Sequence, residues 1–299
     1  MNSLPPKDGV HAMVPRDRMP EHVRKLRDTY AITPDAPFVQ REFWFYSMDQ
    51  FYEQGLDPKA DVAEVFGYDP PGSYDIKHLG WCEASFHPAF EEEVIEDRGR
   101  HEVIRDFAGR HVLVFKDRRQ GFMPEYLDHP VKDQRSWEED VKWRLDPAAA
   151  GRFDYLDELR REATARAAEG YMMSQHLIGG YMYLHRKLYV QIDTDGQAES
   201  VIPLYVEAVG MDAMSPFEVA SGCDVVAIGE RFPELAIFGG IDKRVLAKDK
   251  DAIDRMVKRI LPVMRRRGGY IPHCDHSVPE EVSLENYLHY RNRVLKLGG

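Results

Sequence analysis

LAIFGGIDKRVLAKDKDAIDRMVKRILPVMRRRGGYIPHCDHS, residues 235–277, sets an apolar run, a long amphipathic segment and a second apolar run end to end. In the middle, Ile253, Met256, Val257, Ile260, Leu261 and Met264 recur at the i, i+3, i+4, i+7 spacing that puts apolar groups on one face of a helix. Asp249 and Asp251 at its start and Arg265 to Arg267 at its end complement the helix dipole, and Pro262 predicts a kink in the last turn. The flanking LAIFGGID (235–242) and GGYIPH (268–273) are too short and too apolar for surface helices and predict buried strands. Two strands joined through a helix must pair in parallel, with the helix packed on one face of the sheet.

The same alternation extends in both directions. LYVQID (188–193), GMDAMSP (210–216) and YMMSQHLIGGYMYL (171–184) are further strand candidates, and a helix is predicted from Ser283, a good N-cap, through Leu284, Tyr287, Leu288 and Val294. Several consecutive strand–helix units favour a TIM-type (β/α) barrel, in which chemistry gathers where the strands end. Upstream the texture differs. Residues 1–37 read as an N-terminal arm, either loose or a helix lying on the body, and REFWFYS (41–47) as an aromatic strand. WEEDVKWRL (137–145) and 152–170 are predicted helical, the latter ending at Gly170. The stretch 93–117 alternates apolar and charged residues, with turns at Arg98-Gly99 and Ala108-Gly109, and predicts a half-exposed antiparallel β-ribbon serving as a flap or dimer arm.

Bulk properties exclude several classes. A net charge of −11 argues against nucleic acid as a partner. No run approaches the roughly 18 apolar residues a membrane helix needs, and the first twenty residues lack the apolar centre of a secretory signal. Cys82, Cys223 and Cys274 form no CxxC pair, which fits a reducing compartment. A cytoplasmic protein acting on a small molecule is expected.

The barrel rule sorts the candidate chemistry: Asp193, Asp195, Glu218, Asp242 and His276 each follow a predicted strand and should open onto one face. Asp193 and Asp195 lie two apart, so on extended chain they project together. They suit a divalent metal or acid/base work, or else an Asx turn capping the next helix. Asp242, Lys243 and Arg244 suit an anion at a helix start, unless Asp242 is only the cap. Glu218 reads as positional. His273, Cys274, Asp275 and His276 alternate in direction, so they cannot all reach one centre; Cys274 reads as incidental and His276 as a proton donor or ligand. Tyr181, Met182 and Tyr183 could stack on a planar macrocycle, though such residues on a strand more often fill a core.

GGIDKRVLAKDKDAIDRMVKRIL followed by GGYIPHCDHSVPEEVSLENYLHY resembles the last two units of the uroporphyrinogen decarboxylase superfamily, which also contains the cobamide-dependent methyltransferases. IDTDG (192–196) is similar to that family's Asp-Gly after an earlier strand, and FWFYS to its first strand. The resemblance implies a barrel domain over 38–299 carrying the 93–117 ribbon as an insertion. It implies His276, Asp195 and Tyr183 as catalytic residues, with Gly196, Asp242, Lys243 and Arg244 binding substrate. Two departures stand out. Ser47 and Phe51 occupy places where the decarboxylases carry carboxylate-binding arginines, and Gln191-Ile192-Asp193 replaces the methyltransferases' His-x-Cys. Moreover YMYLHRKLYVQIDTDG (181–196) leaves too few residues between Tyr183 and Leu188 for a crossover, which takes about a dozen. The expectation is therefore an incomplete barrel of about seven strands, interrupted near 184–187. The leading function is a carboxy-lyase acting on a carboxylated tetrapyrrole-like or other anionic small molecule, requiring no cofactor. The alternatives are a methyltransferase holding zinc through Asp193, Asp195 and His276, with a corrinoid or methoxy substrate and a corrinoid protein as partner, and an inactive truncated member. A homodimer is a further expectation.

Overall fold

The computed structural model describes residues 14–75, 86–116, 124–174 and 189–298. The described chain divides into two compact units, the first built from 14–74, 165–174 and 189–298, the second from 75, 86–116 and 124–164.

The first unit carries the alternation read from the sequence. In order it contains β1 (Gln191–Thr194), α1 (Ile202–Val209), β2 (Ala213–Pro216), α2 (Val225–Arg231), β3 (Ala236–Phe238), α3 (Lys250–Arg267), β4 (Tyr270–Ile271) and α4 (Leu284–Gly298). The four strands form one parallel sheet in which each pairs with its sequence neighbour, Asp193 opposite Ser215, Met214 opposite Ile237 and Tyr270 opposite Ile237. Strands added one beside the next without reversal wind in a single direction, unlike the doubly wound sheets whose order turns back on itself. The fold class shown is thus mixed α/β with a parallel sheet. The segment 41–47 forms no extended strand, but it lies parallel beside the chain leaving β4: Phe45 bridges Val278, with Tyr46 N donating to Val278 O and Val278 N to Trp44 O.

The two faces of the sheet are covered differently. Met214, Ile237 and Tyr270 pack with the apolar stripes of the helices, including Ile202, Ile228, Ile253, Val257, Leu261, Tyr287 and Val294. Each such large side chain, removed from water, contributes about 1.5–3 kcal/mol. Ala213, Ala236, Phe238 and Ile271 point the other way and meet Leu26 of the helix Glu21–Tyr30 and Val39. Of the two forms expected for the N-terminal arm, the described part from Glu21 to Tyr30 takes that of a helix lying on the body, and it supplies part of a core, with Val23 and Leu26 buried.

Local signals explain the helix ends. Asp249 caps α3 by accepting from Ala252 N, and the helix runs through an exposed Pro262 to Arg267. Ser283 Oγ accepts from Asn286 N at the start of α4. Asp242 caps only the single turn Lys243–Leu246. Gly239 follows β3 because the chain there turns at φ +108° and a Cβ would lie 2.0 Å from Pro216 O; no side chain fits.

The second unit holds an antiparallel sheet in the order Glu93–Arg98, His101–Arg105, His111–Phe115, Glu125–Asp128. The first three strands are the ribbon expected over 93–117, turning at Gly99 and Gly109, both at positive φ. Glu93–Arg98 is exposed throughout, whereas Ile104, Val112 and Val114 form a small core. The segment 137–145 is made of short irregular helical turns, and the helix expected over 152–170 spans Leu156–Ala168. Among the described residues no helix is long and apolar enough to cross a membrane.

Candidate functional site

Parallel pairing delivers the C-terminal ends of β1 to β4 to one edge of the sheet, and the polar residues that follow each strand meet there. After β1, the Asp195 carboxylate lies 3.7 Å from Nε2 of His276, which follows β4. Asp195 is largely exposed, with 71% of its side chain open to solvent, while His276 retains 29%. The His276 ring leans against Phe43, centroid to centroid 5.5 Å. Gly196, at φ +76°, donates its N–H to Glu218 Oε2 at 2.8 Å. Glu218, reached from β2 through a left-handed Phe217, pairs through Oε1 with Lys243 Nζ at 3.0 Å. The Gly196 N–H, and after it the Lys243 ammonium, hold the Glu218 carboxyl below its usual range against the opposing effect of burial. Burial pulls the Lys243 ammonium down, but the hydrogen bond to Glu218 and the charge of Asp275 outweigh it and leave Lys243 above its ordinary value.

Asp275 joins the remaining loops. Fully buried, it accepts from Val219 N at 2.9 Å and from Lys243 N at 3.0 Å. Burial raises its carboxyl above the ordinary range, partly offset by those two N–H groups. Gly196, Glu218, Lys243 and Asp275 thus bind the four strand ends to one another, a brace built of charge-assisted hydrogen bonds.

Asp193 takes a different direction from Asp195's partner. Its Oδ2 accepts from Ser215 Oγ at 2.7 Å, and Ser215 Oγ in turn accepts from Gln191 Nε2 at 3.2 Å, on the sheet face away from the helices. On that face His273, two residues beyond Ile271, is buried. Burial, then the positive charge of Arg41, pushes its imidazole down to about 3, so the ring is neutral. Its Nδ1 lies 2.7 Å from Cys274 O, a carbonyl that can only accept, so Nδ1 carries the proton and Nε2 the lone pair. Arg41 places its guanidinium over the Phe238 ring, 5.1 Å from the centroid.

Glu42 points to the opposite side from Arg41 and accepts from Phe43 N (2.9 Å), Cys274 N (2.7 Å) and Tyr287 Oη (2.7 Å). It fixes the 41–47 segment to the end of β4 and to α4. Burial raises its carboxyl; the three hydrogen bonds and Arg291 oppose the rise.

Of the residues singled out by sequence, the structure brings Asp195, Gly196, Lys243 and His276 to one edge. Asp242 accepts from Arg244 N and pairs with the Arg244 guanidinium, so these two form a helix cap with an exposed arginine. Lys243 faces the site but is bound to Glu218. Tyr183 and the expected seam at 184–187 lie outside the described residues. Among the described residues no group of three or more metal-ligating side chains stands together; Asp195 and His276 meet as a pair, and Asp193 is engaged with Ser215. Arg41 and Glu42 carry no local signal, Asp275 stood out only as one of four clustered ligands and Glu218 only as positional, because most of the groups they meet lie 22 to 245 positions away in the chain. The one available signal was position, since Glu218 and Asp275 also follow strands. The sequence matches no family model and no curated protein.

Proposed function

We propose that the first unit is a (β/α)-barrel enzyme of the uroporphyrinogen decarboxylase type that removes a carboxylate from an anionic small molecule. The observation that carries this reading is the meeting of Asp195 and His276 across the sheet edge, at 3.7 Å, from opposite ends of a singly wound row of strands. The parallel pairing of 41–47 with the chain after β4 is what a barrel requires of its first and last strands and supports the same reading.

The chemistry assigned to the pair is proton delivery. The bond between the substrate carbon and its carboxylate breaks, carbon dioxide leaves, and the electron pair stays in the substrate, whose own conjugated system accepts it. His276 then gives a proton to that carbon and is reprotonated from solvent, to which its ring is partly open. Asp195 orients the ring and stabilises the imidazolium. The brace of Glu218, Lys243 and Asp275 holds both residues in register without contacting substrate.

Carbon dioxide release from a panel of conjugated carboxylic acids tests the reading. The native chain should decarboxylate members of the panel in D2O, leaving one deuteron on the carbon that lost its carboxylate, and His276→Ala should lose about 100-fold or more in rate. No release from any member, or equal rates for His276→Ala, overturns the assignment.

A further inference from the structure

The strand Glu93–Arg98 forms one edge of the antiparallel sheet in the second unit, and every one of its residues is exposed. Its inner side pairs with His101–Arg105, and among the described residues no strand pairs with its outer side. Such an edge offers a row of backbone N–H and C=O groups to another strand, and monomeric proteins blunt it with proline or with repelling charge. No proline occurs between Ala89 and Lys116, and the charges are sorted by end. Glu91, Glu92 and Glu93 stand at the start, Arg98 and Arg100 at the finish, and Val94 and Ile95 lie between them with 53% and 45% of their surface exposed. Glu96 and Asp97 break that order, but each is matched within the chain, by Arg98 at 2.7 Å and by Lys116 at 2.5 Å.

We propose that Glu93–Arg98 pairs antiparallel with the same strand of a second copy of this chain, about a twofold axis, so that the two four-stranded sheets run on as one. The inference does not rest on the decarboxylase reading. A twofold interface must be self-complementary, because the same patch faces itself reversed. A strand acidic at one end and basic at the other meets that requirement when antiparallel and fails it when parallel. With Glu93 of one copy opposite Arg98 of the other, opposite charges face each other at two symmetry-related places, and opposite-charge pairs across strands are stabilising. Glu93 also meets Arg105 at 3.2 Å, an exposed contact worth little alone, and the five N–H groups of Arg98 can serve Glu96 and a second carboxylate together. The inner pairing skips Ile95 as a bulge. In this register the bulges of the two copies lie side by side at the axis, so both strands share the added twist. The exposed Val94 and Ile95 lose contact with water at the centre of the junction.

Sedimentation of the full chain over about 1 to 100 μM tests the junction. The native protein should pass from 34.6 kDa toward twice that mass as concentration rises. Glu93→Arg and Arg98→Glu each set like charges against each other at both symmetry-related places, and each should weaken the dimer at least about 10-fold. An equimolar mixture of the two variants should dimerise as the native chain does, because every reversed charge then faces its opposite. A loss of folding could not be rescued in this way. Val94→Asp, which adds an acid opposite Asp97 of the other copy, serves if the charge-reversal variants do not fold, and should also weaken the dimer. The proposal is overturned if the native chain stays at 34.6 kDa throughout, if a folded variant dimerises as well as native, or if the folded charge-reversal variants remain monomeric when mixed.

Discussion

Replacing Glu218 with Gln probes the brace that binds the loop ends. The native carboxylate accepts from Gly196 N at 2.8 Å and from Lys243 Nζ at 3.0 Å. Glutamine preserves the volume and one acceptor but removes the charge that strengthens both contacts. A hydrogen bond to an ionised group is worth about 1.5–3 kcal/mol, and a solvent-accessible ion pair adds about 0–1 kcal/mol. The Glu218 and Lys243 side chains keep 19% and 24% of their exposure, so screening places the pair in the lower part of those ranges. A loss of about 2 kcal/mol at pH 7 is expected, or a fall in Tm of about 4–8 °C if the unit unfolds in one step. The pH dependence has a definite sign. Glu218 is held below its usual value in the folded protein, so its contribution is complete above the unfolded pKa of about 4.3 and disappears as pH falls through the lower folded value. Urea unfolding of native and Glu218→Gln protein, followed by circular dichroism, should show a constant gap above about pH 5 that closes on acidification below about pH 4. Equal stability at pH 7, or a gap that widens as pH falls, would refute the reasoning.

Gly239→Ala should destabilise the protein by more than about 3 kcal/mol, since the new Cβ meets Pro216 O at 2.0 Å at a positive φ; a melting temperature within a degree or two of native would contradict that geometry. Glu42→Ala strands the donors of Phe43, Cys274 and Tyr287 and should cost about 3 kcal/mol, measured by denaturant unfolding; a neutral effect would mean that 41–47 is not fixed to β4 through this residue. Arg244→Ala should leave carbon dioxide release unchanged, because Arg244 is 56% exposed and engaged with the Asp242 cap; a loss matching that of His276→Ala would move the site toward the Lys243–Leu246 turn.

What could be read from the sequence was whatever is local. The apolar stripe from Ile253 to Met264 has the helical period, Asp249 and Ser283 have capping chemistry three residues ahead of the N–H groups they bind, and the four apolar runs alternate with helices as a parallel sheet demands. From that alternation alone followed the convergence of Asp195 and His276. What escaped was fixed by distant partners. REFWFYS looks like an aromatic strand, yet it makes a single bridge, and its importance lies in Glu42, which ties the segment to the end of β4 and to α4 while Arg41 lies over Phe238. Glu218 shares with Asp195 and Asp242 only its place after a strand, and the parallel register is what sets it beside Gly196. Asp242 shows the reverse error available to sequence reading: an acid at a strand end whose oxygens are taken up by its own helix.

Chemical rescue of His276→Ala by free imidazole tests the central assignment most directly, because it separates carrying a proton from holding the fold. The account predicts that the variant's slowed decarboxylation recovers in proportion to the concentration of imidazolium and that its thermal stability is unaffected by imidazole. A variant that is as fast as the native chain, or one that stays slow at every imidazole concentration while binding the acid normally, would contradict the placement of the proton donor at His276.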